Sequence, residues 1–83
     1  MNPIYKISCG QYIDISKLIS LKRFIYAELP DSANISLWFQ LVNRPIEIYI
    51  SGLDKSIEIE NEILNAWEAW KEYEKTLNNS SGK

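Results

Sequence analysis

The last third of the chain repeats Ile59, Ile63, Trp67, Trp70, Tyr73 and Leu77 at steps of three and four residues within an acidic segment. Such steps follow one side of a helix with about 3.6 residues per turn, so a helix here has an apolar face that something must cover. Most of the preceding sequence alternates with period two instead. That is the period of a sheet with one buried face, and a sheet joined to one terminal helix points to an α+β fold.

The strand pattern can be followed segment by segment. Pro3 to Ser8 reads as a short strand, Cys9-Gly10-Gln11 as a tight reversal, and Tyr12 to Ile15 as its return, with a bend at Ser16-Lys17. From Leu18 to Leu29 the alternation continues, but both alternating sets contain large apolar groups, so neither face of this strand is simply wet. Pro30-Asp31-Ser32-Ala33-Asn34 is the clearest turn. After it, Ile35, Leu37, Phe39 and Leu41 alternate with Ser36, Trp38, Gln40 and Val42. A second turn at Asn43-Arg44-Pro45 leads to Ile46, Ile48 and Ile50, alternating with Glu47, Tyr49 and Ser51. Two successive hairpins make a meander. The expectation is a small antiparallel β-meander or partial barrel of about four to five strands, capped by one long C-terminal amphipathic helix.

The boundaries expected are a single domain over 1–79, its sheet within 3–51 and its helix over about 56–77, with a flexible tail at 80–83. Asp54 or Ser56 is suited to accept from the first free amides of the helix. Glu58, Glu60 and Glu62 near its start and Lys71 and Lys75 near its end suit the helix dipole. Glu68 with Lys71 and Glu72 with Lys75 stand at pairing distance in sequence.

Eighty-three residues make one domain, and a domain of this size buries only about 60% of its unfolded surface. A second copy is one way to supplement so small a core. The charge is unevenly spread: residues 1–53 carry a net +1, residues 54–79 a net −4, and Lys83 adds +1. The longest basic run is Lys22-Arg23, which disfavours nucleic acid as a partner. No apolar run approaches the roughly 20 residues that cross a bilayer, and Met1-Asn2-Pro3-Ile4-Tyr5 lacks the layout of a signal peptide. A cytoplasmic protein without a membrane partner is therefore expected. The lone Cys9 is consistent with a reducing compartment.

Chemistry is restricted by what is missing. The sequence has no histidine, which removes the usual neutral-pH base, the commonest metal ligand and every Ser-His or Cys-His pair. With one thiol it cannot assemble a cysteine metal site, and its three glycines make neither a Walker loop nor a dinucleotide fingerprint. No cofactor, no metal site and no catalytic residue are expected. A carboxylate enzyme built on Asp14, Glu28, Asp31 or Glu47 is the remaining catalytic route, and each of these reads as a turn or surface charge.

Two aromatic groups remain as candidate contact surfaces. If Ile35, Leu37, Phe39, Ile46, Ile48 and Ile50 face the helix, Trp38 and Tyr49 point the other way, together with Phe24 and Tyr26. Such a face is either covered by a curled sheet or a second layer, or it is an open platform. The second group is the end of the helix, where Trp70, Tyr73 and Leu77 extend past strands too short to cover them. A ligand pocket between sheet and helix would draw on Tyr5, Tyr12, Trp38 and Trp67.

The run Tyr12-Ile13-Asp14-Ile15-Ser16-Lys17-Leu18-Ile19-Ser20-Leu21, followed by two strands and a terminal helix, resembles small bacterial and phage proteins with a pleckstrin-homology-like curled sheet. The resemblance implies a binding scaffold and carries no catalytic residue. The function expected is a non-enzymatic protein-interaction module, self-associating or binding another protein. The alternatives are a small-molecule binder and an inhibitor that imitates nucleic acid with its acidic helix.

Overall fold

The computed structural model describes residues 2–26 and 28–81, the last four through their backbone alone. Its fold is α+β: five strands in two antiparallel sheets and one long C-terminal helix, with no closed barrel among the described residues.

The smaller sheet pairs β1 (Ile4–Lys6) with β2 (Tyr12–Asp14), Tyr5 standing opposite Ile13. Gly10 turns this hairpin at φ 105°, a conformation that strains any side chain. A short 3-10 helix, Ile15–Lys17, follows at once, where the Asp14 carboxylate accepts from the Ser16 amide at 3.1 Å. The larger sheet is the expected meander: β3 (Leu18–Ile25), β4 (Ser32–Phe39) and β5 (Ile46–Ser51), in that order.

A bulge in β3 explains why both of its alternating sets looked apolar. Leu18 pairs with Phe39 and Ser20 with Trp38, leaving Ile19 as an extra residue without a partner. The bulge changes the parity of the strand, so that Leu18 and Leu21 both reach the inner side despite their odd separation. Beyond it the rows are regular. Leu21, Leu37 and Ile46 form one inner row, Arg23, Ile35 and Ile48 the next, and Ile25, Ala33 and Ile50 the third.

Helix α1 (Leu53–Ser81) covers this inner side. Ile59 and Ile63 are fully buried in one cluster with Ile35, Leu37, Phe39, Ile48 and Ile50, which Ile7 and Ile13 of the N-terminal hairpin and Ile15 of the 3-10 helix complete. Two polar ties fix the layers. Arg23 Nε donates to Glu60 Oε1 at 2.9 Å, joining β3 to the helix. Glu62 holds the N-terminal hairpin, its carboxylate accepting from the Tyr5 hydroxyl at 2.8 Å, the Ser8 amide at 2.9 Å and the Ser8 hydroxyl at 2.7 Å.

The helix differs from its expected bounds at both ends. It begins at Leu53 rather than near 56, because Gly52 at φ 104° makes the turn out of β5. Ser56 is therefore inside the first turn, buried, and its hydroxyl donates back to the Leu53 carbonyl at 2.6 Å instead of capping. At the other end the helix continues to Ser81, so the first half of the expected 80–83 tail is helical; Gly82 and Lys83 lie outside the described residues. Two further segments differ. Ser32, Ala33 and Asn34, read as turn residues, are the first three of β4, and the strand expected to reach Leu29 ends at Ile25, with Ala27 outside the described residues.

Twenty-nine residues of helix span about 43 Å, whereas an eight-residue strand spans only about 27 Å. The helix contacts the 3-10 turn as well as the strands, so it runs back toward the end of the sheet that carries that turn and the β4–β5 connection. Its apolar packing stops at Trp70, and residues 71–81 project past the sheet for about 16 Å. Among the described residues, no helix is long and apolar enough to cross a membrane.

Candidate interaction surface

Alternation on β3, β4 and β5 sends a second set of side chains to the side away from α1. Lys22, Ser36 and Glu47 form one outer row, and Phe24, Asn34 and Tyr49 the next. Ser32 pairs with Ser51 beyond them, and Trp38 stands opposite Ser20 at the other end. The N-terminal hairpin is held to the helix by Glu62, and it leaves this side open: Phe24, Trp38 and Tyr49 remain 44%, 41% and 56% exposed.

The face has relief. Ser32, Asn34 and Ser36 on the central strand are only 5–7% exposed, although among the described residues no second layer lies over them. They are small residues between larger side chains on both neighbouring strands. Tyr26 and Tyr49 pack with ring centroids 5.8 Å apart, and the Tyr49 hydroxyl shares a 2.9 Å hydrogen bond with Ser32 Oγ. On the opposite wall, Lys22 Nζ sits 5.2 Å from the Phe24 ring centroid. Asn34 Nδ2 reaches Ser36 Oγ only at 3.5 Å, a long contact that leaves its amide free to bond elsewhere. The result is a shallow channel with aromatic walls and a hydroxyl and amide floor. Such a surface offers large apolar contact area at its rims and hydrogen bonds along its base.

The other candidate residues lie elsewhere. Trp70 and Tyr73 stack at the root of the overhang, ring centroids 5.2 Å apart and tilted by 48°. The Trp70 indole Nε1 is sealed from solvent without an acceptor among the described residues. Leu77, one turn further, is 49% exposed. Trp67 packs half-buried on the core, with Lys71 Nζ 4.1 Å from its ring centroid.

The four residues expected to line a pocket between sheet and helix do not meet. Trp38 occupies the opposite side of β4 from Leu37 and Phe39, while Tyr5 is tied to Glu62. Tyr12 instead lines a separate apolar cleft of about 220 Å³, with Ile13, Phe39, Val42 and Ile46, between the N-terminal hairpin and the β4–β5 connection. The alternation had not indicated this cleft, because it forms between two sheets. The alternation also grouped Leu41 with Ile35, Leu37 and Phe39, but β4 ends at Phe39 and Leu41 stands beyond it, almost fully exposed at φ 64°, where a non-glycine residue is uncommon.

Among the described residues, no three acidic or cysteine side chains converge as metal ligands. Asp14 is engaged with Ser16, Glu28, Asp31 and Glu47 are exposed, and Cys9 is an exposed thiol on the first turn. Comparison with protein-family models, curated proteins and solved structures finds no match.

Proposed function

We propose that this chain is a non-enzymatic protein-interaction module whose contact surface is the open face of the three-stranded sheet. The observation that carries this reading is the channel itself, with exposed Phe24, Trp38 and Tyr49 beside the buried floor of Ser32, Asn34 and Ser36. Aromatic side chains present large rigid area at low entropic cost, and a protein partner supplies both the apolar groups and the backbone polar groups such a channel accepts. The lack of histidine in the sequence and the scattered placement of its acids lend no support to an enzymatic reading. A phosphate-mimicking role for the helix has less support, since Glu60 and Glu62 are spent on Arg23 and on Tyr5 and Ser8.

The test is selection of displayed peptides against the folded chain, followed by titration against the Phe24→Ala/Tyr49→Ala double variant. Selected peptides should bind wild type at least about tenfold more tightly, with the variant's melting temperature little changed. Peptides that bind both proteins equally would remove the sheet face as the contact surface.

A further inference from the structure

The overhanging helix and the apolar cleft lie toward the same end of the molecule, and each has a feature the other lacks. The overhang ends in Leu77, half exposed, with Glu74 three residues before it on the same side of the helix. The cleft is an apolar recess of about 220 Å³, and Lys17 stands on its rim.

The charges left over after internal pairing are complementary. Glu72 is paired with Lys75 at 3.8 Å and Lys71 lies over Trp67, so Glu74 is the overhang's unspent acid among the described residues. At the cleft, Asp14 accepts from the amide and hydroxyl of Ser16, while Lys17 has no ion-pair partner among the described residues. Within one chain the two charges do not meet.

We infer that a second copy of this chain docks here, each copy seating Leu77 in the other's cleft and pairing Glu74 with the other's Lys17. Projection and recess lie toward the same end of the chain, so a twofold arrangement that fills both at once closes on itself. The inference goes beyond the sheet-face reading and uses a different surface.

The experiment is light scattering on the full chain over a concentration series reaching about 1 mM, for wild type, Leu77→Asp, Glu74→Lys, Lys17→Glu, the Glu74→Lys/Lys17→Glu exchange and Phe24→Ala/Tyr49→Ala. A wild-type dimer is expected, weakened at least ~10-fold by Leu77→Asp and by each single reversal, and restored to within ~3-fold by the exchange. Circular dichroism of every variant checks that it remains folded. A wild-type monomer at all concentrations overturns the inference. So does a dimer that survives Leu77→Asp, one lost only with Phe24→Ala/Tyr49→Ala, or a charge exchange that fails to recover the dimer in a folded protein.

Discussion

The two sides of the same three strands differ in what covers them. On the inner side Ile35 and Leu37 are excluded from solvent by a helix laid across them; on the outer side Ser32, Asn34 and Ser36 are nearly as buried with no layer laid across them among the described residues. The inner side is dry because an apolar layer meets an apolar layer. The outer side is partly dry because Phe24, Tyr26 and Tyr49 flank a row of short residues. Low exposure therefore has two meanings here, stability on one side and a recessed polar floor on the other.

Substitutions can separate those meanings. The largest effect should come from Leu37→Ala, which empties a fully buried inner position and should cost about 2–5 kcal/mol in urea denaturation. A loss below about 1 kcal/mol would mean that the inner side is loosely packed. Glu62→Ala should come next, at about 1–3 kcal/mol, because it removes the one carboxylate that accepts three hydrogen bonds from the N-terminal hairpin, two of them at exposed Ser8. Amide exchange should then accelerate in residues 4–14 ahead of the larger sheet; uniform acceleration would show that the hairpin is not a separable unit.

The same tie predicts a pH dependence. Burial, then the hydrogen bond from Tyr5 to Glu62 and that carboxylate's charge, raise the Tyr5 phenol above its ordinary 10.0. The folded protein thus holds this proton more firmly than the unfolded chain. Its contribution is intact below a pH of about 10 and is lost as the pH climbs through the raised value. Wild type should lose more stability than Tyr5→Phe between pH values of about 9 and 11, and equal losses would assign the effect to other groups.

Tyr49→Ala should have a small effect on stability, about 1 kcal/mol or less, while removing binding at the sheet face. A loss as large as that of Leu37→Ala would erase the contrast between the two sides. Lys75→Ala, which breaks an exposed pair, should change stability by no more than about 0.5 kcal/mol.

Much of this arrangement is legible in the sequence, for reasons that also mark where legibility stops. Ile59 and Ile63 on the helix, and Ile35, Leu37, Ile48 and Ile50 on the strands, follow simple periods because each element meets one continuous apolar layer. The same parity places Trp38 and Tyr49 on the outer side. Ile19 breaks the parity of β3 through a backbone irregularity that no residue type announces. Ser32 and Asn34 have turn propensity, yet strand pairing on both sides overrides it. Their burial depends on side chains from other strands, and the cleft beside Tyr12 depends on how two sheets meet. Neither is a property of any local stretch of chain.

The bulge at Ile19 bears on how the protein avoids becoming a fibre. β3 is an outer strand of its sheet and, with its unpaired backbone edge, is a template on which another strand could polymerise. An extra residue near one end and the outward-facing Lys22 farther along spoil that template, because a neighbouring copy would meet a broken register and then the like charge of its own Lys22. Deleting Ile19 should convert a protected border into an adhesive one, and the first sign would be seeded growth of aggregates under conditions in which the intact chain stays clear.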